Sequence, residues 1–472
     1  MPQTQPIDTV QPDRMQPVEG SFRDPSGFVF ERTGVLYRQV NAAYRPHFER
    51  LVDSGLLESL QRDNLLIGHD EVEAAIGEDG AYKVLRPLRV PFVSYPFEWC
   101  FSQLKDAALL TLDVQVRALS AGMSLKDASA YNVQFVGGRP VLIDTLSFEQ
   151  HEDGRPWVAY KQFCQHFLAP LLLMARRDVR LSQLFRVFMD GVPLDLASPL
   201  LPRASWLNPT ALMHVHLHAK AQSKYSDTVG AGKAKSARIS SNSLRALVES
   251  LRRSVAGLDW TPAGTEWGDY YSDTNYTDAA AAEKARLVTA FHERVRPNTV
   301  WDLGANTGRF SRLASTRGVN TVAFDLDAAA VEKNYRDVVA TGNRHELPLV
   351  LDLTNPSPAF GWAGRERQSL TERGPADLVQ VLAVIHHLAI SNNVPLARIA
   401  GYLASLARTL VIEFVPKSDS QVQRLLSSRP DIFPQYDREG FEQSFGQYFI
   451  VDAAEPVSGT ERILYLMRRR VD

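Results

Sequence analysis

Only two cysteines, Cys100 and Cys164, occur among 472 residues, too few for a disulfide framework, and no CxxC or Cys/His pair has zinc spacing. A reducing cytoplasm suits such a chain. Long apolar runs are missing as well: the strongest, FLAPLLLMA at 167–175, falls far short of the ~20 residues of a membrane helix, so no membrane span is expected. Charge of one sign is not in excess. With 52 basic residues against 54 acidic ones, net −2, bulk electrostatics provides no attraction to nucleic acid. No repeat at periods of 20–50 residues is visible, which excludes solenoids and propellers. The amino terminus, MPQTQPIDTVQPDRMQPVEG, lacks an apolar core, and residues 1–19 read as a disordered leader.

What is present is ample apolar material, 44% of the chain, enough for two cores at ~150 residues per domain. The clearest composition shift is AKAQSKYSDTVGAGKAKSARISSNS, so 219–243 reads as a flexible linker. It separates an α+β domain at 20–218 from a second domain at 244–472. Leu244, Leu247, Leu251 and Val255 follow at helical spacing behind a serine cap, predicting a helix that opens the second domain or bridges to it.

The second domain alternates strand and helix signals. Strands are predicted at 298–304, 320–327, 346–353, 377–383 and 408–415 from near-continuous apolar runs, a pattern that implies a mostly parallel sheet covered on both faces. FGQYFIVDA and RILYLMRR then predict a terminal antiparallel pair.

WDLGANTGRF places Asp302, Gly304, Ala305, Asn306 and Gly308 in the turn after the first strand. Glycines there admit a ligand to the backbone, and a helix amino terminus adds donors. Asp325 ends the second strand about 20 residues on, where a carboxylate can accept both hydroxyls of a ribose. Asp352 ends the third, near where an adenine ring would lie. The third glycine of the GxGxxG dinucleotide pattern is absent, which disfavours a nicotinamide cofactor.

These residues together resemble the class I S-adenosylmethionine-dependent methyltransferases over roughly 265–472. The resemblance implies a Rossmann-like α/β domain, a seven-stranded sheet with a terminal antiparallel hairpin, and S-adenosyl-L-methionine as cofactor. It implies that DLGANTG wraps the amino acid part of the cofactor, Asp325 with Leu326 meets the ribose, Asp352 with Leu353 the adenine, and Leu382 and Ala383 the methionine end. GANTG carries Asn306 where glycine is commoner in the family. Tyr276, in the aromatic run Trp267, Tyr270, Tyr271 and Tyr276, is a further candidate contact, against the alternative of a helix packing on the sheet edge.

Methyl transfer is an in-line displacement in which positioning supplies most of the acceleration, and a base is needed only for a protonated nucleophile. His387, then His386 and Glu413, near the ends of strands four and five, are the candidates. Packing of the following helix is the alternative for the histidines.

In the first domain, Asp127, Asn132 five residues on, a VQFV–GG–RPVLI hairpin and Asp144 resemble the catalytic and metal-binding loops of kinase-like phosphotransferases. Departures are plain: Leu125 and Lys126 replace the usual residues before the aspartate, no glycine-rich loop is present, and Arg38 is a poor stand-in for a lysine on the third strand. The bland alternative is a hydrogen-bonded Asp/Asn turn in an assembly domain. His214, His216 and His218 would share a face only on a strand; the flanking ALM and AKAQ favour a helix, so no metal is expected there. FVSYPFEWCFSQL at 92–104 reads as core, and Lys220, Lys224, Lys233, Lys235 and Arg238 as linker solvation.

The chain as a whole is similar to bacterial methyltransferases related to a nodulation-associated group, which implies a small-molecule, carbohydrate or specialised-metabolite acceptor. Two alternatives stand beside methyl transfer: phosphotransfer by the front half with a cofactor-sensing rear half, and a non-enzymatic, cofactor-gated interaction protein. The residues do not specify the acceptor atom or the oligomeric state.

Overall fold

The computed structural model describes residues 15–220, 238–262, 277–427 and 430–470. In the carboxy-terminal half the strands are β10 (Thr299–Leu303), β11 (Asn320–Asp325), β12 (Glu346–Val350), β13 (Ala376–Val381), β14 (Ala407–Phe414), β15 (Phe449–Pro456) and β16 (Ile463–Arg469). They form one sheet in the order β12-β11-β10-β13-β14-β16-β15. The first five are parallel, β16 runs antiparallel to β14, and β15 antiparallel to β16. That order with one reversed strand is the class I methyltransferase sheet, as the strand pattern predicts. Val379, Val381, Leu410 and Ile412 are wholly buried, because helices cover both faces and leave no solvated side for alternation.

Helices α5 (Asp278–Val295), α6 (Ala328–Thr341) and α7 (Leu396–Leu406) precede β10, β12 and β14. Thr277 caps α5, its hydroxyl accepting from the Ala280 amide. Asp327 caps α6 through the amides of Ala329 and Ala330.

The amino-terminal half begins with an antiparallel sheet of β1 (Gln16–Pro17), β2 (Gly27–Arg32), β3 (Val35–Asn41), β4 (His69–Val72) and β5 (Ala81–Pro87), in the order β1-β2-β3-β5-β4. Helices α1 (Arg45–Asp53) and α2 (Leu56–Arg62) lie between β3 and β4. Of the segment expected as a leader, residues 15–19 are placed, with Gln16 and Pro17 paired to Glu31 and Phe30. Residues 1–14 lie outside the described residues. The long helix α3 (Phe101–Ser120) follows, then the short strands β6 (Met123–Leu125), β7 (Val133–Val136), β8 (Arg139–Leu142) and β9 (Phe148–Gln150). β6 pairs with β9, and β7 with β8 across Gly137 and Gly138.

α3 is buried nearly all round, Leu104, Ala108, Leu112, Val114 and Ala118 being inaccessible. One reason is α4 (Ser241–Ala256), whose Leu244, Val248, Leu251 and Val255 are buried in the same core as α3. Arg252 reaches Asp113 at 2.6 Å, and Lys105 Nζ donates to the Leu258 carbonyl at 2.7 Å. The helix read at the front of the second domain therefore packs on α3 of the first half. Most of the segment expected as a linker, 221–237, lies outside the described residues.

Residues 92–106 join the two halves. Phe92 packs edge-on against Trp301 and Phe324, with centroids 5.5 and 5.8 Å away. Glu98 and Arg373, both inaccessible, meet at 2.6 Å. Gln103 Nε2 donates to the carbonyl of Pro348 in the edge strand β12 at 3.0 Å, and Tyr335 Oη donates to Asp106 at 2.8 Å. An unpaired sheet edge is thus covered by the other half of the chain.

HVHLH is helical. His214 pairs with Tyr160 Oη at 2.6 Å, and His216 bridges Ser198 and Ser205. His214 and His218, one turn apart, both flank the Tyr160 ring, while His216 stacks separately on Trp206.

Candidate functional site

At the end of β10 the chain turns through Gly304 and Ala305, whose amides both donate to the Phe324 carbonyl at 2.8 and 2.9 Å. Gly304 has φ +86°, open to glycine at no cost. A side chain there would run into Val384 Cγ2, on the loop after β13. Asn306 follows with φ +51°, a conformation asparagine tolerates. Its amide donates to Asp325 Oδ2 at 2.7 Å, while the Asp327 amide donates to Asp325 Oδ1 at 2.8 Å. Each carboxylate oxygen keeps a lone pair free of these bonds, which suits a diol lying across the strand ends.

Desolvation pushes the Asp325 carboxyl up to about 6. Asp302, almost inaccessible, is likewise raised to about 6 by burial and accepts from Ser311 Oγ at 2.6 Å. It fixes the start of the following helix and lies below the turn. Gly308 does something different from Gly304. A Cβ there would strike Glu346 Oε1 and the Asn334 amide, so this glycine makes room for the buried polar group under the turn.

Asp352 lies two residues past the end of β12, its Oδ1 accepting from the amide and hydroxyl of Thr354 at 2.8 and 2.6 Å. Leu326 is largely exposed, and Leu353 packs partly on the core. Leu326 and Asp352 line a cleft of about 1160 Å³ whose other wall is Phe97, Arg177, Arg180 and Arg186 of the amino-terminal half. This contribution from the front half is not legible in sequence, since 140 or more positions separate Leu326 and Asp352 from those arginines.

Beyond β13, Leu382 is buried in the cluster that also holds Leu287 and Phe310. Ala383 has φ +57°, a strained conformation for a residue with a Cβ and one that clusters at functional sites. His386 and His387 follow, ring centroids 4.1 Å apart. His386 is inaccessible and its Nδ1 has no hydrogen-bond partner. Burial holds it well below its ordinary pKa, with His387, Arg462 and Lys284 adding to the effect. Burial also lowers His387, to about 4. Both imidazoles are therefore neutral near pH 7.

Glu413 lies wholly buried at the end of β14. Lys284 Nζ, from α5, donates to its Oε2 at 2.6 Å, and Arg462 Nη1 lies 3.7 Å from its Oε1. Arg462 also binds Asp419 at 2.8 Å. The expectation of Glu413 as a reacting base meets a carboxylate held between two cations. Lys284 and Arg462 were missed in the sequence because nothing local marks a lysine in an amphipathic helix, or an arginine before a strand, as a core ion.

Trp267, Tyr270, Tyr271 and Tyr276 lie outside the described residues. Among the described residues, no group of three or more His, Cys, Asp or Glu could hold a metal, and no helix is long and apolar enough to cross a membrane.

No family model matches the chain. Similar solved structures include the magnesium protoporphyrin IX methyltransferase ChlM from Synechocystis PCC 6803 with bound SAH, 16% identical over 55% of this chain and 100% of that one, TM-score 0.30. Another is the bifunctional kinase-methyltransferase WbdD, 16% identical over 46% of each chain, TM-score 0.29. The sequence is also similar to the nodulation protein NoeA of Rhizobium meliloti strain 1021, 37% identical over 460 residues, covering 96% of both chains. At that identity and coverage, the chain belongs to the family of the nodulation protein NoeA.

Proposed function

We propose that this protein transfers a methyl group from S-adenosyl-L-methionine to a small-molecule or carbohydrate acceptor. One observation carries the reading: the Asp325 carboxylate, fixed by the amides of Asn306 and Asp327, stands beside the Gly304 turn in a sheet of this strand order. The residues fit the cofactor. The turn at Gly304 leaves no room for a Cβ, Asp325 would accept from a ribose, and Asp352 would meet an adenine amine. Gly304, Ala305 and Asn306 would hold the amino acid end, with Ala383 beside them.

The bound cofactor supplies a methyl carbon already activated by its sulfonium. The chain's own residues then bind, orient and exclude water. Neutral His387 would orient an acceptor hydroxyl or amine or take its proton. His386 would hold the ring of His387 from behind. Glu413 would act at one remove, with Lys284 and Arg462 fixing the floor under β13 and β14. The amino-terminal half would contribute to acceptor binding or assembly, and its Arg177, Arg180 and Arg186 would enclose the cofactor's adenine end, since they form one wall of the cleft at Asp352.

Calorimetric titration with S-adenosylhomocysteine tests the reading. One-site binding by the intact protein, lost in Asp325→Ala, supports it. Equal affinity in both would remove the site assignment.

A further inference from the structure

The order β1-β2-β3-β5-β4, two helices between β3 and β4, a long α3, then β6 paired to β9 and β7 to β8 bring Asp127, Asn132 and Asp144 to one place beneath β3. The Asp127 carboxyl is raised by burial, with the charge of Asp144 adding and a hydrogen bond with Asn132 opposing, so the three side chains are neighbours. Phosphotransferases of the protein-kinase type use one aspartate and, five residues on, an asparagine. They add a second aspartate for magnesium, a cationic side chain on the third strand, and a loop over the phosphates.

Asp127 Oδ1 accepts from the Ser129 amide at 2.9 Å, and the second aspartate, the asparagine and the loop are likewise engaged by the protein itself. Arg38 on β3 reaches Asp144 Oδ1 at 2.5 Å, both side chains largely buried. The other oxygen of Asp144 accepts from Ser147 Oγ at 2.6 Å, and Asn132 Nδ2 donates to that hydroxyl at 3.3 Å. Lys126 Nζ donates to Ser26 Oγ at 2.7 Å and lies 3.5 Å from both oxygens of Asp24, latching the loop between β1 and β2. That loop is fastened on its far side too. Arg23 makes a forked pair with Glu366 of the carboxy-terminal half, the shortest contact 2.5 Å. Gly20 lies so close to the Glu366 carbonyl that no Cβ would fit. A magnesium ion needs free carboxylate oxygens in an open octahedral site, and these residues do not fit one.

We propose that Arg38 stands on Asp144 where a divalent cation would, and that the amino-terminal half binds no metal–nucleotide complex. Its loop at 18–26 serves instead to seat the methyltransferase half.

The experiment titrates the full-length protein with ATP in the presence of magnesium, and again with manganese, by calorimetry and by thermal midpoint. S-adenosylhomocysteine is run on the same sample, so that failure of the cofactor reading is scored separately. No ATP heat and no change in midpoint with either metal are expected. Saturable, metal-dependent ATP binding that is lost in Asp144→Asn overturns the proposal. A second arm compares Arg38→Met, Asp144→Asn and the double variant. The double is expected to lose no more thermal stability than the worse single variant, as for two ends of one pair, whereas additive losses overturn the inferred role of Arg38.

Discussion

The amide of Asn306 donates to Asp325 Oδ2 at 2.7 Å, tying the turn after β10 to the end of β11. The bond orients the carboxylate along the sheet's carboxyl edge, where ligands of open α/β sheets bind.

Asp325→Ala removes both the acceptor and the partner of the Asn306 amide. Hydrogen bonds to a charged group are worth roughly 1.5–3 kcal/mol, so S-adenosylhomocysteine affinity is expected to fall tenfold or more by calorimetry, with the far-ultraviolet spectrum unchanged. Because Asp325 titrates near 6, affinity of the unsubstituted protein should also decline below pH 6. A flat affinity from pH 7.5 to 5 would contradict this.

Gly304 and Gly308 should part company. Gly304→Ala places a methyl against Val384 at the ligand face, and is expected to reduce binding more than stability. Gly308→Ala strikes buried Glu346 and Asn334 and should lower the thermal midpoint. Ranking both variants by midpoint and by affinity checks the distinction.

Lys284→Met strands buried Glu413 with Arg462 at 3.7 Å. Breaking a buried pair from one side costs about 3–5 kcal/mol, which urea unfolding would register. Lys284→Met combined with Glu413→Leu is expected to recover part of that loss. A single-variant loss below about 1 kcal/mol would mean the pair behaves like one at the surface.

The halves should unfold together, because Glu98 and Arg373 form an inaccessible pair across them. One calorimetric transition is expected, moving as a whole in Arg373→Ala. Two separate transitions would argue against a shared core.

Stability should fall below pH 6.5. Burial depresses His166 to about 3 and His214, His292 and His387 to about 4, and holds His386 well down. The stability they contribute is complete above their ordinary value and is lost as the unfolded chain takes up protons below it. Asp302 and Asp325 near 6 and Glu346 near 7 act oppositely, favouring the fold as pH drops through 7 to 6. His69, His216 and His218 are lowered by burial as well, and Asp106 and Asp127 raised by it, so eight histidines against five carboxyls set the net sign, each differential proton changing stability by about 1.4 kcal/mol per pH unit. A urea midpoint that rises between pH 6 and 5 would reverse this account.

The five parallel strands were legible because buried strands read as apolar runs, and the terminal pair because two apolar segments are joined by a short polar one. The Asp302 to Gly308 turn and Asp325 were legible because strand ends fix where a short motif lies. His386 and His387 could be placed after β13, but not their burial. Glu413 was visible as an acid at a strand end, while its cations Lys284 and Arg462 come from 129 and 49 positions away. In the front half, Asp127, Asn132 and Asp144 carried local signatures, and the occupation of Asp144 by Arg38 did not.

By itself, then, the sequence determined the elements, the order of acids along the sheet edge and the turn that fits a cofactor, since these depend on periodicity and local backbone chemistry. Only the tertiary structure decided which charges are paired, which histidines are stripped of water, and that two halves share one core. Those properties belong to residues distant in the chain, and desolvation and ion pairing act through space.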